Sequence, residues 1–244
     1  MRAGTLASLK IYGDPRIVAI AAMGFASGLP LALTGSTLAI WLTEAHVSLA
    51  AIGLFAGVGL AYTLKFLWAP AVDWLVLPLV TTRLGRRRGW MLAIEAALAL
   101  ALVALGAGDP ARAPVAVAAL AVLVAFLSAS QDIVIDAFRI ELLGEREQGA
   151  GAAATQLGYR VGMVASTAGA LYLATFFGWA RTYEVMAALL SVGAVAALAM
   201  REPPAPLGAR RAAFADAVVA PFSDILGREA AWVILAFIVL YKFG

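Results

Sequence analysis

Long apolar runs, separated by short polar connections rich in arginine, dominate this chain. A bilayer core of about 30 Å needs about 20 consecutive apolar residues to be crossed as a helix. By that measure the pattern predicts six complete membrane-spanning helices, over residues 17–43, 50–80, 90–107, 114–140, 149–177 and 182–200. A seventh starts near Ala230 and reaches Gly244. The expected fold class is all-α, a polytopic membrane helix bundle. Residues 1–200 are expected to form a six-helix unit, residues 201–229 a cytoplasmic linker containing Pro203, Pro204 and Pro206, and residues 230–244 the beginning of a further span. The first run is longer than the 7–15 apolar residues of a secretory signal core, so it reads as a retained span.

Basic residues in the connections set the expected orientation. Arg2, Lys10 and Arg16 precede the first run; Arg83, Arg86, Arg87 and Arg88 follow the second. Arg146 follows the fourth, with Arg139 near that span's end, and Arg201, Arg210, Arg211 and Arg228 follow the sixth. The intervening connections hold only Arg112 and Arg181. This alternation predicts a cytoplasmic N-terminus. It also explains the net charge of +3 and the pI of about 9.4 without a nucleic-acid partner.

Composition agrees with a lipid solvent. Hydrophobic residues make up 63% of the 244 positions and charged residues 14%, against about 25% charged in a typical soluble domain. The mean hydropathy is +0.92. Cysteine is absent, which removes disulfides and thiolate metal sites. Neither metal-ligand spacing nor a phosphate-cradling glycine loop is found, so no cofactor is predicted and ATP-driven transport by this chain alone is disfavoured. No nucleophile–base set suggests an enzyme. The single histidine, His46, reads as a solvated turn residue between the first two spans.

Ionisable side chains at membrane depth cost roughly 2.5–3.5 kcal/mol each on the insertion scale, and so mark pathways or pairs. The second span carries Lys65 and Asp73 around Pro70, which is expected to bend it. Lys65 suits an anionic substrate group or a structural pair with an acidic residue on another helix. Asp73 reads as an anchor for the basic loop of Arg86, Arg87 and Arg88. In the fourth span Asp132 and Asp136 are four apart and share one face, with Arg139 following. Desolvation and a neighbouring cation act in opposite directions on such a carboxyl, which can bring its proton within physiological reach. Asp132, the deeper, is the first candidate proton carrier and Asp136 the second; gate or anchoring salt bridges are the alternative. The fifth span places Gln156, Tyr159 and Arg160 together, with Arg160 able to reach a substrate carboxylate or Asp132. Glu95, in the third span, is expected to pair with the basic loop or with Lys65. Trp41, Tyr62, Trp68 and Tyr159 offer faces on which a sugar could stack, or simply pack. Three glycine pairs at i,i+4 spacing, Gly24/Gly28, Gly53/Gly57 and Gly158/Gly162, permit close helix approach. Pro30 is expected to interrupt the first helix.

The stretches GFASGLPLALTGSTLAIWL (24–42), GLAYTLKFLWAPAVD (59–73), LGRRRGW (84–90), SASQDIVIDAFRIELL (128–143) and GAGAAATQLGYRVGM (149–163) together resemble the AmpG muropeptide permease family of the major facilitator superfamily. Eukaryotic acetyl-CoA transporters are distant relatives. The resemblance implies proton-driven uptake, across the inner membrane, of N-acetylglucosamine linked to anhydro-N-acetylmuramic acid with or without its peptide. In bacteria with inducible β-lactamase that uptake would feed the inducing signal. Lys65, Asp73, Asp132, Asp136, Tyr159 and Arg160 fall on the family-like stretches, while Arg139 stands where related chains often carry lysine. Family members have a second helical half, so this chain is expected to be the N-terminal half of a transporter, completed in the same or a separate polypeptide. Competing readings are a facilitator for another anionic solute, such as an acyl-CoA or a peptide, and an inactive half-transporter scaffold.

Overall fold

A computed structural model describes residues 10–48, 53, 55–75, 77–78, 80–204, 223–224 and 226–243. Most of the expected linker, including Pro206, Arg210 and Arg211, lies outside the described residues, as do Arg2, the start of the second apolar run and Gly244. The described residues are helical throughout the apolar runs and contain no strand. In chain order the α-helices are α1 (Pro15–Thr34), α2 (Ser36–Glu44), α3 (Leu60–Leu64), α4 (Ala69–Trp74), α5 (Val80–Leu84), α6 (Arg86–Gly106), α7 (Pro114–Leu142), α8 (Gln148–Val164), α9 (Ala170–Leu189), α10 (Ser191–Ala199) and α11 (Ala231–Phe243). Among the described residues, four stretches are long and apolar enough to cross a membrane: Pro15–Glu44, Arg86–Gly106, Pro114–Leu142 and Glu145–Ala199.

The last of these has 55 residues and would measure about 80 Å if straight, far beyond a bilayer. It turns at Gly178, whose φ of 75° and ψ of 169° suit glycine alone. The stretch therefore holds two legs, residues 145–177 and 179–199. A π-turn at Ala165–Gly169 interrupts the first leg, and there the Ser166 carbonyl accepts a 2.7 Å bond from the Thr37 hydroxyl.

Two sequence expectations about proline need correction. Pro30 does not interrupt the first helix; α1 continues one turn beyond it, and the break comes at Gly35 (φ −105°, ψ −108°). A proline forfeits one backbone bond, and packing on all sides of this buried segment sustains the helix across that loss. Pro70 does not bend a continuous second span. It lies in the first turn of the separate helix α4, where its missing N–H costs nothing. The second apolar run is accordingly built of short pieces: 3₁₀ turns at Ala56–Gly59 and Lys65–Leu67 flank α3, and α4 follows Trp68.

Glycines bring α1 and α8 together. A Cβ on Gly24 would strike the Thr155 carbonyl, and one on Gly28 the Tyr159 carbonyl. Reciprocally, a Cβ on Gly158 would strike the Ala21 carbonyl and one on Gly162 the Phe25 carbonyl. The two small-residue pairs read from the sequence thus pack on each other. Gly53 and Gly57 do not take part; a Cβ at either meets open space. Helix α6 packs between α7 and α9, and α10 returns to α1 and α6. The core runs in three clusters, one around Leu29, Leu33, Leu98, Leu102, Val124 and Tyr183, a second around Met23, Met91, Ile94, Val134 and Phe138, and a third around Ile17, Ile20, Leu143 and Ala154. Large apolar side chains such as Leu100, Val115, Phe176 and Phe177 point outward, as a bundle in lipid requires.

One end of the bundle is tied by ion pairs. Asp14 caps α1 by accepting from the Arg16 backbone N–H at 2.8 Å. The hydrogen bonds from Arg16 hold the Asp14 carboxyl below the usual carboxylate range. Arg16 also grips Glu147, beyond the end of α7, at 2.5 Å. At the other end Trp41 stacks on Trp179, with ring centroids 5.6 Å apart, and the Trp179 indole donates to Glu44 at 2.8 Å.

Candidate functional site

The tight α1–α8 contact and the broken second span leave a cavity of about 170 Å3 between α1, the Lys65 turn, α7 and α8. Ser27, Lys65, Asp132, Ile135, Asp136, Thr155, Gln156 and Tyr159 line it. Asp132 is at its centre. One carboxyl oxygen accepts from the Ser27 hydroxyl, and the other accepts from the Lys65 ammonium at 3.2 Å. The Asp132 side chain is 15% exposed and that of Lys65 34%, so this pair is dry on one side and open to the cavity on the other.

Local structure explains why these groups converge. Lys65 opens a 3₁₀ turn where the second span changes from α3 to α4. Non-helical backbone at membrane depth is tolerated where it is buried in protein or lines a cavity, and here it aims a cation inward. Asp132 and Asp136 are one turn apart on α7 and both reach the cavity, as their spacing predicts. Asp136 is more open, and Arg139 approaches it only to 3.5 Å. On α8, Thr155 and Tyr159 are the residues whose carbonyls touch Gly24 and Gly28, so the glycine contact sets their side chains against Ser27.

Other sequence expectations resolve differently. Arg160 is exposed and does not pair with Asp132; it follows Tyr159 on α8, and a 100° step turns it away from the cavity. Glu95 reaches neither the basic loop nor Lys65. It is buried at 4% exposure and accepts from the Gln131 amide at 3.0 Å. Trp41 is buried in its stack with Trp179 and Tyr183, and Trp68 packs on Phe126 and donates to Ser130 at 3.0 Å. Tyr62 has a buried hydroxyl and packs on the core. Of the four aromatics, Tyr159 alone lines the cavity. His46 is exposed, in the left-handed conformation at φ 57° after α2.

The residues read as loop anchors form a network at the start of α6. Arg87, only 5% exposed, bonds Glu141 through two nitrogens, at 3.0 and 2.6 Å, and pairs with Asp73. Arg86 joins the same Glu141 at 3.0 Å and the Asp73 carbonyl at 3.2 Å. Arg88 donates to the Leu198 carbonyl at 3.0 Å. Two acids here escaped the sequence reading. Glu141 was given no role and stood only inside the family-like stretch 128–143. Glu202 accepts from the backbone N–H groups of Arg87 and Arg88, at 2.7 and 3.0 Å, and so caps α6 from a distant segment. Ser27 and Thr155 were also missed; each is a polar residue beside an already noted glycine or glutamine, which was the available signal.

A second, larger cavity of about 390 Å3 is lined by Thr34, Gly35, Ser36, Leu38, Ala39, Gly53 and Phe55. None of the described residues that line it is ionisable, whereas the smaller cavity holds Lys65, Asp132 and Asp136. No cluster of three acidic or histidine side chains suited to a metal occurs among the described residues.

Comparison with known proteins points the same way. The family model described as Major Facilitator Superfamily matches residues 20–243. The chain is 47% identical over 237 residues to the anhydromuropeptide permease of Escherichia coli K12, covering 97% of this chain and 47% of that protein. It is 34% identical over 241 residues to the AmpG 4 protein of Rickettsia conorii, covering 96% of this chain and 58% of that protein. A Haemophilus influenzae protein is 37% identical over 225 residues, covering 91% and 52%. The chain thus spans about half the length of the curated relatives it matches.

Proposed function

We propose a function from the premise that this chain belongs to the Major Facilitator Superfamily and is similar within it to the AmpG permeases. It is part of a multi-pass membrane transporter and not an enzyme. The proposal is that it forms the N-terminal half of a proton-coupled importer of muropeptides, working in the inner membrane with its N-terminus in the cytoplasm. Within that reading, residues 1–200 are the six-helix half, residues 201–229 the cytoplasmic linker and residues 230–244 the start of the second half, supplied in cis or in trans.

The observation that carries the mechanism is the Lys65–Asp132 pair inside a polar cavity. A muropeptide brings carboxylates, and an ammonium is a suitable partner for one. While Asp132 is ionised it holds Lys65 to itself. A proton taken by Asp132 cancels its charge and releases the ammonium to a substrate carboxylate. Substrate and proton then favour each other's binding, which is the requirement for symport. Asp136 at the cavity mouth is the relay between Asp132 and water. Tyr159 and Gln156 are the neutral contacts, a ring face for sugar and an amide for its hydroxyls. Arg160, outside the cavity in this half, is free for a surface that the second half completes. The Asp73, Arg86, Arg87, Arg88 and Glu141 network is the gate latch, and Arg139, beside Asp136 and Gly151 of α8, is a separate gate contact. One proton moving inward gains about 2.3 kcal/mol per 100 mV, or about fortyfold accumulation.

The test is uptake of radiolabelled anhydro-muropeptide into energised vesicles carrying the full-length gene product. The reading predicts accumulation that collapses with a protonophore and resists competition by acyl-CoA or an unrelated short peptide. Uptake indifferent to the protonophore would remove the proton mechanism; no uptake of muropeptide would remove the cargo.

A further inference from the structure

Glu95 lies outside the cavity, in the middle of α6, and the mechanism above leaves it unused. Its surroundings are dry. The residue is 4% exposed and Gln131 is fully buried. Gly193 of α10 passes so close that a Cβ there would strike the Glu95 Oε1 atom and the Ala26 side chain of α1.

The polar accounting around it is incomplete. Gln131 Nε2 donates to Glu95 Oε1 at 3.0 Å. Glu95 Oε2 and Gln131 Oε1 are both buried and both lack a hydrogen-bond partner. Two oxygens on the same two groups, both acceptors, cannot satisfy each other while the carboxyl is ionised. Turning the amide over would only set its oxygen against a carboxyl oxygen, which again needs a hydrogen between them.

Among the described residues, no cation pairs with Glu95. Gln131 is the polar group that reaches Glu95 from α7; α10 presents Gly193 and α1 presents Ala26. On α9, Arg181 pairs with Glu184 and the Tyr183 hydroxyl donates to the Leu33 carbonyl. On α6 itself, Arg87 and Arg88 are about two turns away and engaged at the bundle end. Asp132 is occupied by Ser27 and Lys65. An unpaired carboxylate in such a place neutralises itself by holding a proton.

We propose that Glu95 carries a proton at neutral pH and donates it from Oε2 to Gln131 Oε1, closing an acid–amide ring between α6 and α7. One hydrogen then satisfies both orphaned oxygens. The ring also fixes the rotation of α7. With Gln131 held toward α6, the next residue, Asp132, is set about 100° around the helix, facing Ser27 and Lys65. Glu95 is thus a proton-holding residue and a positioning residue for Asp132. The inference does not depend on the cargo or on proton coupling.

Infrared difference spectroscopy of the full-length gene product in lipid nanodiscs tests this. At neutral pH the parent protein should show a protonated-carboxyl C=O band that shifts in D2O. The band should vanish in Glu95→Gln and survive in Asp132→Asn, which separates it from the cavity acid. Gln131→Leu should move the band to higher frequency by removing its partner, which keeps the proposal testable should Glu95→Gln fail to fold. A neutral-pH spectrum identical in the parent and Glu95→Gln would show that Glu95 holds no proton, and a Glu95 band insensitive to Gln131→Leu would show that the acid–amide ring does not form; either result overturns the proposal.

Discussion

Asp132 divides its two carboxyl oxygens between different helices, one accepting from Ser27 on α1 and the other from Lys65 in the second span. Removing either charge leaves the other beside a half-dry cavity without its counterion. Lys65→Met and Asp132→Asn should therefore each lower the unfolding temperature, while the double substitution costs less than the sum. The expected interaction energy is about 0.5–3 kcal/mol, read from a thermal double-mutant cycle in detergent. Strict additivity would mean that the pair contributes nothing to the fold. The Glu202 carboxylate is a second residue-scale anchor. Glu202→Gln keeps its shape but loses charge at the α6 N-terminus and should destabilise by about 0.3–1 kcal/mol at low salt. The same melting assay would contradict the capping role if the variant were unchanged or more stable.

Between elements, the α1–α8 seam differs from the remaining glycine pair, Gly53/Gly57. Gly28→Val drives a side chain into the Tyr159 backbone and should cost about 1–3 kcal/mol or more. Gly53→Ala meets open space, so its effect should stay within about 0.5 kcal/mol. Equal losses at both sites would remove the seam as the organising contact. Here the limits of a single sequence show clearly. Glycine spacing told that Gly24, Gly28, Gly158 and Gly162 permit close approach, because that depends on residue size and helical repeat alone. It did not tell that the two pairs meet each other, since the partner is chosen by the whole packing. In the second span, mean apolarity suggested one helix, yet the structure has short pieces; hydropathy reports burial and says nothing of backbone continuity. The Gly178 turn was foreseen as a connection because Arg181 and the apolar lengths on either side required one.

At the scale of the molecule, four long apolar stretches and the family match make a membrane bundle, and this much was legible from composition and run length. The convergence of Lys65 and Asp132 was not. They are 67 positions apart, and the sequence offered Glu95 as one partner for Lys65 and Arg160 as one partner for Asp132. Because the chain has no cysteine, single introduced cysteines can report its topology. A cysteine in place of Ser8 should be labelled only from the cytoplasmic side, and one at His46 only from the opposite side; the reverse pattern would invert the orientation. The central claim is that Asp132 ties a proton to the release of Lys65. It is tested most directly by Asp132→Asn in the full-length gene product, assayed in vesicles both for muropeptide accumulation driven by an imposed proton gradient and for exchange of preloaded muropeptide. The account predicts that gradient-driven accumulation is lost while exchange persists. Accumulation at the parent level in that variant would contradict it.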